Sequence, residues 1–148
     1  MPFLSRIGSH AGALRVLSVI MGVFLIFMGL DKIGWLTDST ILTRRLQQWH
    51  GMVRPLARWY LDTIALPGAP VFARVVPLAE LSAGAALILG IRVRLAAALA
   101  LLMVVNFHVA SDDIFKYGYL MNAYGPPVLG GLLTLAIGGV RLPFSLST

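Results

Sequence analysis

The chain has 148 residues, 58% of them hydrophobic and only 12% charged, with a net charge of +6. Its mean hydropathy of +0.85 excludes a water-soluble domain, because a small domain buries only about two-thirds of the surface its chain exposes. The lack of cysteine excludes disulfides and thiolate chemistry, and arginines that flank apolar runs, with no basic face of interleaved aromatics, exclude nucleic acid as a partner.

The first apolar segment, Val16 to Leu30, continues past Asp31 and Lys32 to Leu36 and predicts a membrane helix over about 14–36. Arg6 and Arg15 precede it, but LDKIGW follows without a small-residue cleavage pattern, so it reads as a retained helix and not a leader. From Thr37 to about Arg74 the chain changes character. Leu42, Leu46, Trp49, Val53, Leu56 and Tyr60 recur at spacings of three and four, against Arg44, Arg45, Gln48, Arg54 and Arg58. That pattern predicts an amphipathic helix over about 39–62, lying on the membrane surface or capping the bundle. Pro55 should kink or divide it, and LPGAP (Leu66 to Pro70) should end it as a turn.

Three further spans follow, over about 73–91, 94–111 and 126–141, the first of them interrupted only by Glu80. The turn at Arg92 and Arg94 is so short that its two helices must be antiparallel neighbours. Tyr117 and Tyr119 suit the membrane interface, and Pro126 and Pro127 suit the first turn of a helix. Gly22, Gly29, Gly84, Gly130, Gly131, Gly138 and Gly139 read as packing positions. The expected fold class is therefore all-α: a single-domain integral membrane four-helix bundle with an amphipathic interfacial helix between helices 1 and 2.

Four spans place both termini on one side, together with Arg6, Arg15, Arg92, Arg94 and Arg141 and no acid. All six acids then fall on the opposite side. Basic residues in short turns favour the cytoplasm, which points to an inner-membrane protein with cytoplasmic termini. Depth is more informative. Glu80 lies about 18 Å from Arg92, His108 about 21 Å from Arg94, and Lys32 about 25 Å from Arg15, at 1.5 Å per residue. Asp31, Lys32, Glu80, Asn106 and His108 should thus share one leaflet. A carboxylate inside a membrane helix requires a partner, which Lys32, His108 or a loop arginine can supply.

One reading of these five residues is a buried ion pair that only fixes helix register. The other is a pocket in which Glu80 and His108 exchange protons with a polar head group lined by Asp31, Lys32 and Asn106, histidine titrating near neutrality. His108 and Asp112 are four apart, but two ligands do not make a metal site. His10 and His50 fall outside the expected spans, so neither intrinsic haem nor a metal is expected.

GLDKIG (Gly29 to Gly34), LPGAP, AELSAGAALILGIRVRLAA (Ala79 to Ala97) and NFHVASD (Asn106 to Asp112) together resemble the DoxX family, which includes the small DoxD-type subunit of thiosulfate:quinone oxidoreductase. The resemblance implies a four-helix membrane protein that works with another redox subunit, in some members passing electrons from thiosulfate to quinone. It points to Lys32, Glu80, Arg94 and His108, although Arg94 also reads as a boundary anchor. Two functions follow as expectations. One is a membrane subunit of a quinone-linked oxidoreductase, without an intrinsic cofactor. The other is a non-catalytic accessory subunit of a larger respiratory or photosynthetic membrane complex. A transporter is disfavoured, since no inverted repeat is present.

Overall fold

The computed structural model describes residues 8–146, so Arg6 lies outside the described residues. Among those residues every regular element is a helix. Helix α1 (His10–Asp31) is capped by Ser9, whose hydroxyl accepts from the Gly12 N–H. Its 22 residues span about 33 Å, enough to cross a hydrocarbon core of about 30 Å. A short 3-10 turn, Ile33–Leu36, leads to helix α2 (Thr40–His50). Helix α3 (Pro55–Leu89) is 35 residues long. Helix α4 (Val93–Ala110) returns alongside it, and two 3-10 turns, Asp113–Phe115 and Tyr117–Met121, lead to helix α5 (Pro126–Gly138).

Helices α1, α3 and α4 are each long and apolar enough to cross a membrane. The last helix has 13 residues and is apolar but shorter. It ends at Gly138, before the expected boundary near 141. Arg141 there takes a positive φ of 52°, which a continuing right-handed helix does not allow.

The region between the first two spans departs most from expectation. Pro55 does divide it, sitting at the first turn of α3 after Arg54. LPGAP, however, is not a turn: Leu66 to Pro70 lie inside the helix, immediately after a π-helical stretch at Leu61–Ala65. Each proline removes a donor to the fourth residue before it, and the wider π turn shifts the ladder by one, with the Leu66 N–H bonding to the Leu61 carbonyl. Local π adjustment is one way membrane helices tolerate proline. The second span and the latter half of the expected amphipathic stretch are therefore one element.

Helix α2 buries Leu42 and Leu46 in a cluster with Trp35, Ala57, Leu61 and Ala65, leaving Arg44, Arg45, Gln47 and Gln48 exposed. A second cluster, built on Leu25, Leu87, Ala97, Leu132 and Leu135, ties α1, α3, α4 and α5 together.

The register of α1 against α3 is set by glycine. A Cβ on Gly22 would lie 2.7 Å from the Gly84 carbonyl oxygen, and a Cβ on Gly84 would lie 2.7 Å from the Gly22 carbonyl oxygen. One stretch further along, Gly29 sits against Leu81 and the Pro77 carbonyl. Seven residues forward on α1 thus match seven backward on α3, so the helices run antiparallel with their backbones in contact. Not every glycine packs: a Cβ on Gly130 would meet nothing within 4 Å. Ser18 Oγ donates to the Leu87 carbonyl at 2.7 Å, and Arg15 donates to the same carbonyl at 2.9 Å. These bonds satisfy carbonyls that the end of α3 would leave open.

Candidate functional site

The antiparallel glycine register decides what lies opposite Glu80. That register sets Gly29 against Pro77; Lys32, at the C-cap of α1, reaches back along its own helix to the level of the Met28 carbonyl, where Glu80, one turn after Pro77, meets it. Lys32 Nζ donates to Glu80 Oε1 at 2.9 Å and Oε2 at 3.0 Å, and to the Met28 carbonyl at 2.9 Å. An ammonium has three donors, and all three are used. Both residues are 4% exposed. The Trp35 and Phe107 rings lie 5.9 and 6.0 Å from the ammonium, within range for cation–π attraction. Of the partners the sequence offered to Glu80, the fold selects Lys32.

His108, near the end of α4, is also buried. Its Nδ1 lies 3.0 Å from the Tyr119 hydroxyl, and the two rings meet edge-on with centroids 5.2 Å apart. Burial pushes the Tyr119 phenol up, so it keeps its proton at neutral pH. Which of the two groups donates follows the imidazole tautomer, since the hydroxyl can give or take the proton.

Three members of these two pairs border one cavity of about 220 Å³, with Tyr119 behind His108 and outside its lining. Lys32, Glu80 and His108 line it, Phe24, Phe107 and Tyr124 form aromatic walls, and Arg45 and Trp49 reach it from α2. Ser111, Asp113 and Asn122 add polar groups from the stretch after α4. An apolar cavity of about 150 Å³ admits benzene, so this space can hold one substituted ring with polar substituents.

Of the five residues expected here, the fold brings three together. Asp31 is exposed and does not line the cavity, because the chain turns at Lys32 and sends consecutive side chains to opposite sides. Asn106 faces another space, bounded by Leu42, Phe72 and Val76, where its Oδ1 accepts from the Tyr60 hydroxyl. It lies two residues before His108, and an α-helix turns about 200° over two residues. Sequence reasoning missed Tyr119, Arg45, Trp49 and Asn122. As an aromatic Tyr119 suits the membrane interface, and nothing in its spacing from His108 signals a contact, since the intervening 3-10 turns set it.

A second ion pair forms at Asp112, between the cavity-lining Ser111 and Asp113 in the chain. Asp112, with φ of 60°, accepts from Arg54 Nε at 2.9 Å and Nη2 at 3.0 Å, and also from the Arg54 backbone N–H at 3.2 Å. The guanidinium holds the Asp112 carboxyl below its ordinary range. This clamp joins the start of α3 to the end of α4. Among the described residues no group of three or more His, Cys, Asp or Glu side chains could hold a metal ion.

No curated protein and no solved structure matches this chain. A family model, DoxX, matches residues 13–111, about two-thirds of the sequence. That stretch carries Lys32, Glu80 and His108, while Tyr119, Asn122 and Tyr124 lie beyond it. With its long apolar helices and a match over most of its length, the chain is a multi-pass membrane protein that belongs to the DoxX family.

Proposed function

We propose that this chain is the membrane subunit of a quinone-linked oxidoreductase and that the cavity between Lys32–Glu80 and His108–Tyr119 receives the quinone head group. The observation that carries the reading is the meeting, in one ring-sized space, of aromatic walls with the Lys32–Glu80 pair and with His108, which Tyr119 backs from outside the lining. Reduction of a quinone to its quinol takes two electrons and two protons. The electrons come from a partner redox subunit; a sulfur compound such as thiosulfate is the donor class that the family resemblance implies. The protons arrive at the quinone oxygens. His108 passes one from one ring nitrogen as the other takes the Tyr119 hydroxyl proton; Glu80 passes the other after taking it from the Lys32 ammonium, and both pairs are reprotonated from water. Helix α2 then lies at the interface with its arginines outward, and the termini face the cytoplasm of an inner membrane.

The test is reduction of a short-chain quinone by the purified native assembly. His108→Ala should abolish it while the thermal unfolding of the assembly stays the same. Unchanged turnover in that variant overturns the proposal.

A second reading is favoured by the Lys32 ammonium itself, whose three donors are already engaged. A closed ion pair suits a register-fixing role in an accessory subunit that packs into a larger complex. On this reading Glu80→Gln reduces assembly and leaves turnover per assembled complex unchanged.

A further inference from the structure

We propose that the end of the molecule opposite this cavity binds an anionic phospholipid, with its phosphate among Arg92, Arg94 and Arg141 and one acyl chain along the groove between α3 and α4. The inference is independent of the quinone reading.

Three arginines, Arg92, Arg94 and Arg141, line a cavity of about 230 Å³ formed by the turn after α3 and the segment that follows α5. The Arg92 and Arg141 side chains bond to no described residue, and both stand in the left-handed region, with φ of 42° and 52°. Arg94 uses only Nε, on the Ala136 carbonyl at 3.1 Å. No acid is near: Asp31, Asp38, Asp62, Glu80, Asp112 and Asp113 all lie toward the other end of the helices. Ser145 lines the same space, and its buried Oγ has no hydrogen-bond partner. Three guanidinium groups with no counter-charge among the described residues, beside a hydroxyl left unsatisfied by them, form a donor set for phosphate oxygens.

A second cavity, about 530 Å³, adjoins the first. It runs between α3 and α4 past Ala79, Ala83, Ala96, Leu99 and Ala100, and only Ser82 and Arg92 among its lining residues are polar. Arg92 and Leu95 border both spaces. From Leu95 to Met103 the groove follows α4 for about 12 Å, most of one leaflet of a core about 30 Å thick. An apolar groove that ends at an unpaired arginine cluster matches a molecule with an acyl chain and an anionic head. A free phosphate would leave the groove unused, and a partner helix would need acids placed at its end. Basic pockets between membrane helices bind anionic lipid head groups by the same physics.

The experiment is native mass spectrometry of the delipidated full chain, titrated with phosphatidylglycerol and with phosphatidylcholine of the same acyl chains. Phosphatidylglycerol should bind about tenfold more tightly or better, as expected for loss or gain of a charge-assisted hydrogen bond. The pair R92Q and R141Q should erase that preference. Ser82→Leu, which fills the groove, should weaken both lipids and leave the preference intact. Should the glutamine pair fail to fold, R92K with R141K keeps the charge and should retain a preference for the anionic lipid. Equal binding of the two lipids, or a preference that survives loss of both arginines, overturns the proposal. So does displacement of the lipid by inorganic phosphate combined with no effect of Ser82→Leu, which would reveal an anion site without a lipid.

Discussion

At the end of the molecule that carries the acids, Lys32 meets Glu80, Arg54 meets Asp112 and Lys116 meets Asp113. At the opposite end Arg92, Arg94 and Arg141 meet no carboxylate among the described residues, and all three remain exposed. The contrast shows how pairing licenses depth. Lys32 and Glu80 sit within the helical core at 4% exposure because each cancels the other's charge, whereas a single buried charge at that position would carry an uncompensated desolvation cost. The arginines stay at the rim because nothing cancels theirs. One end is closed electrostatically and built around a cavity; the other is open and ready for an external anion.

The sharpest way to break this comparison is to remove one partner of the closed pair. Lys32→Met alone should lower stability by about 3–5 kcal/mol, since it strands the Glu80 carboxylate. Combining it with Glu80→Leu should recover most of that loss, as read from unfolding in mild detergent. If the single and double variants lose equal stability, the pair does not account for the burial. Next comes the helix crossing that aligns the pair. Gly84→Ala places a methyl group against the Gly22 carbonyl and should cost about 1–3 kcal/mol by overpacking. Gly130→Ala, with open space around it, should instead be neutral or stabilise by about 0.5–1 kcal/mol. The same unfolding assay distinguishes them.

Smaller effects sharpen the account of the cavity. Tyr119→Phe removes the hydroxyl at His108 Nδ1 and should cost about 1 kcal/mol, with a shift of the His108 ring signals by NMR if the hydrogen bond is present. The Arg54–Asp112 clamp makes a signed prediction about pH. Its carboxyl titrates below the ordinary range in the folded protein, so its stabilisation is complete above the unfolded pKa and lost as the pH falls through the lower folded value. Asp112→Asn, which tolerates the positive φ, should flatten the acid limb of stability against pH. An unchanged acid limb would assign that dependence to other carboxylates.

Much of this arrangement was legible in the amino-acid sequence. Apolar runs located the membrane helices, and counting at 1.5 Å per residue from the arginine turn placed Lys32, Glu80 and His108 at one depth, where the fold brings them around one cavity. The same count could not separate Asn106 from His108, because depth along a helix says nothing about azimuth, and 200° of rotation sends them to different spaces. Nor could local rules read LPGAP. Two prolines and a glycine within five residues signal a turn in water, but a π turn just before them keeps the hydrogen-bond ladder going within a helix of 35 residues.

What the sequence determined by itself is the solvent of this protein, its helical class and the depth of its buried charges, all of which follow from composition and one-dimensional spacing. What only the tertiary structure decided is which groups touch. The choice of Lys32 for Glu80 depends on a backbone crossing at Gly22 and Gly84, and the Tyr119 hydroxyl reaches His108 only through the path of two 3-10 turns. The alignment of three arginines beside an apolar groove needs the segment after α5 to fold back onto the end of α3, where the Leu146 N–H bonds to the Leu89 carbonyl. Contacts between residues far apart in the chain are set by packing geometry, which pattern and spacing do not encode.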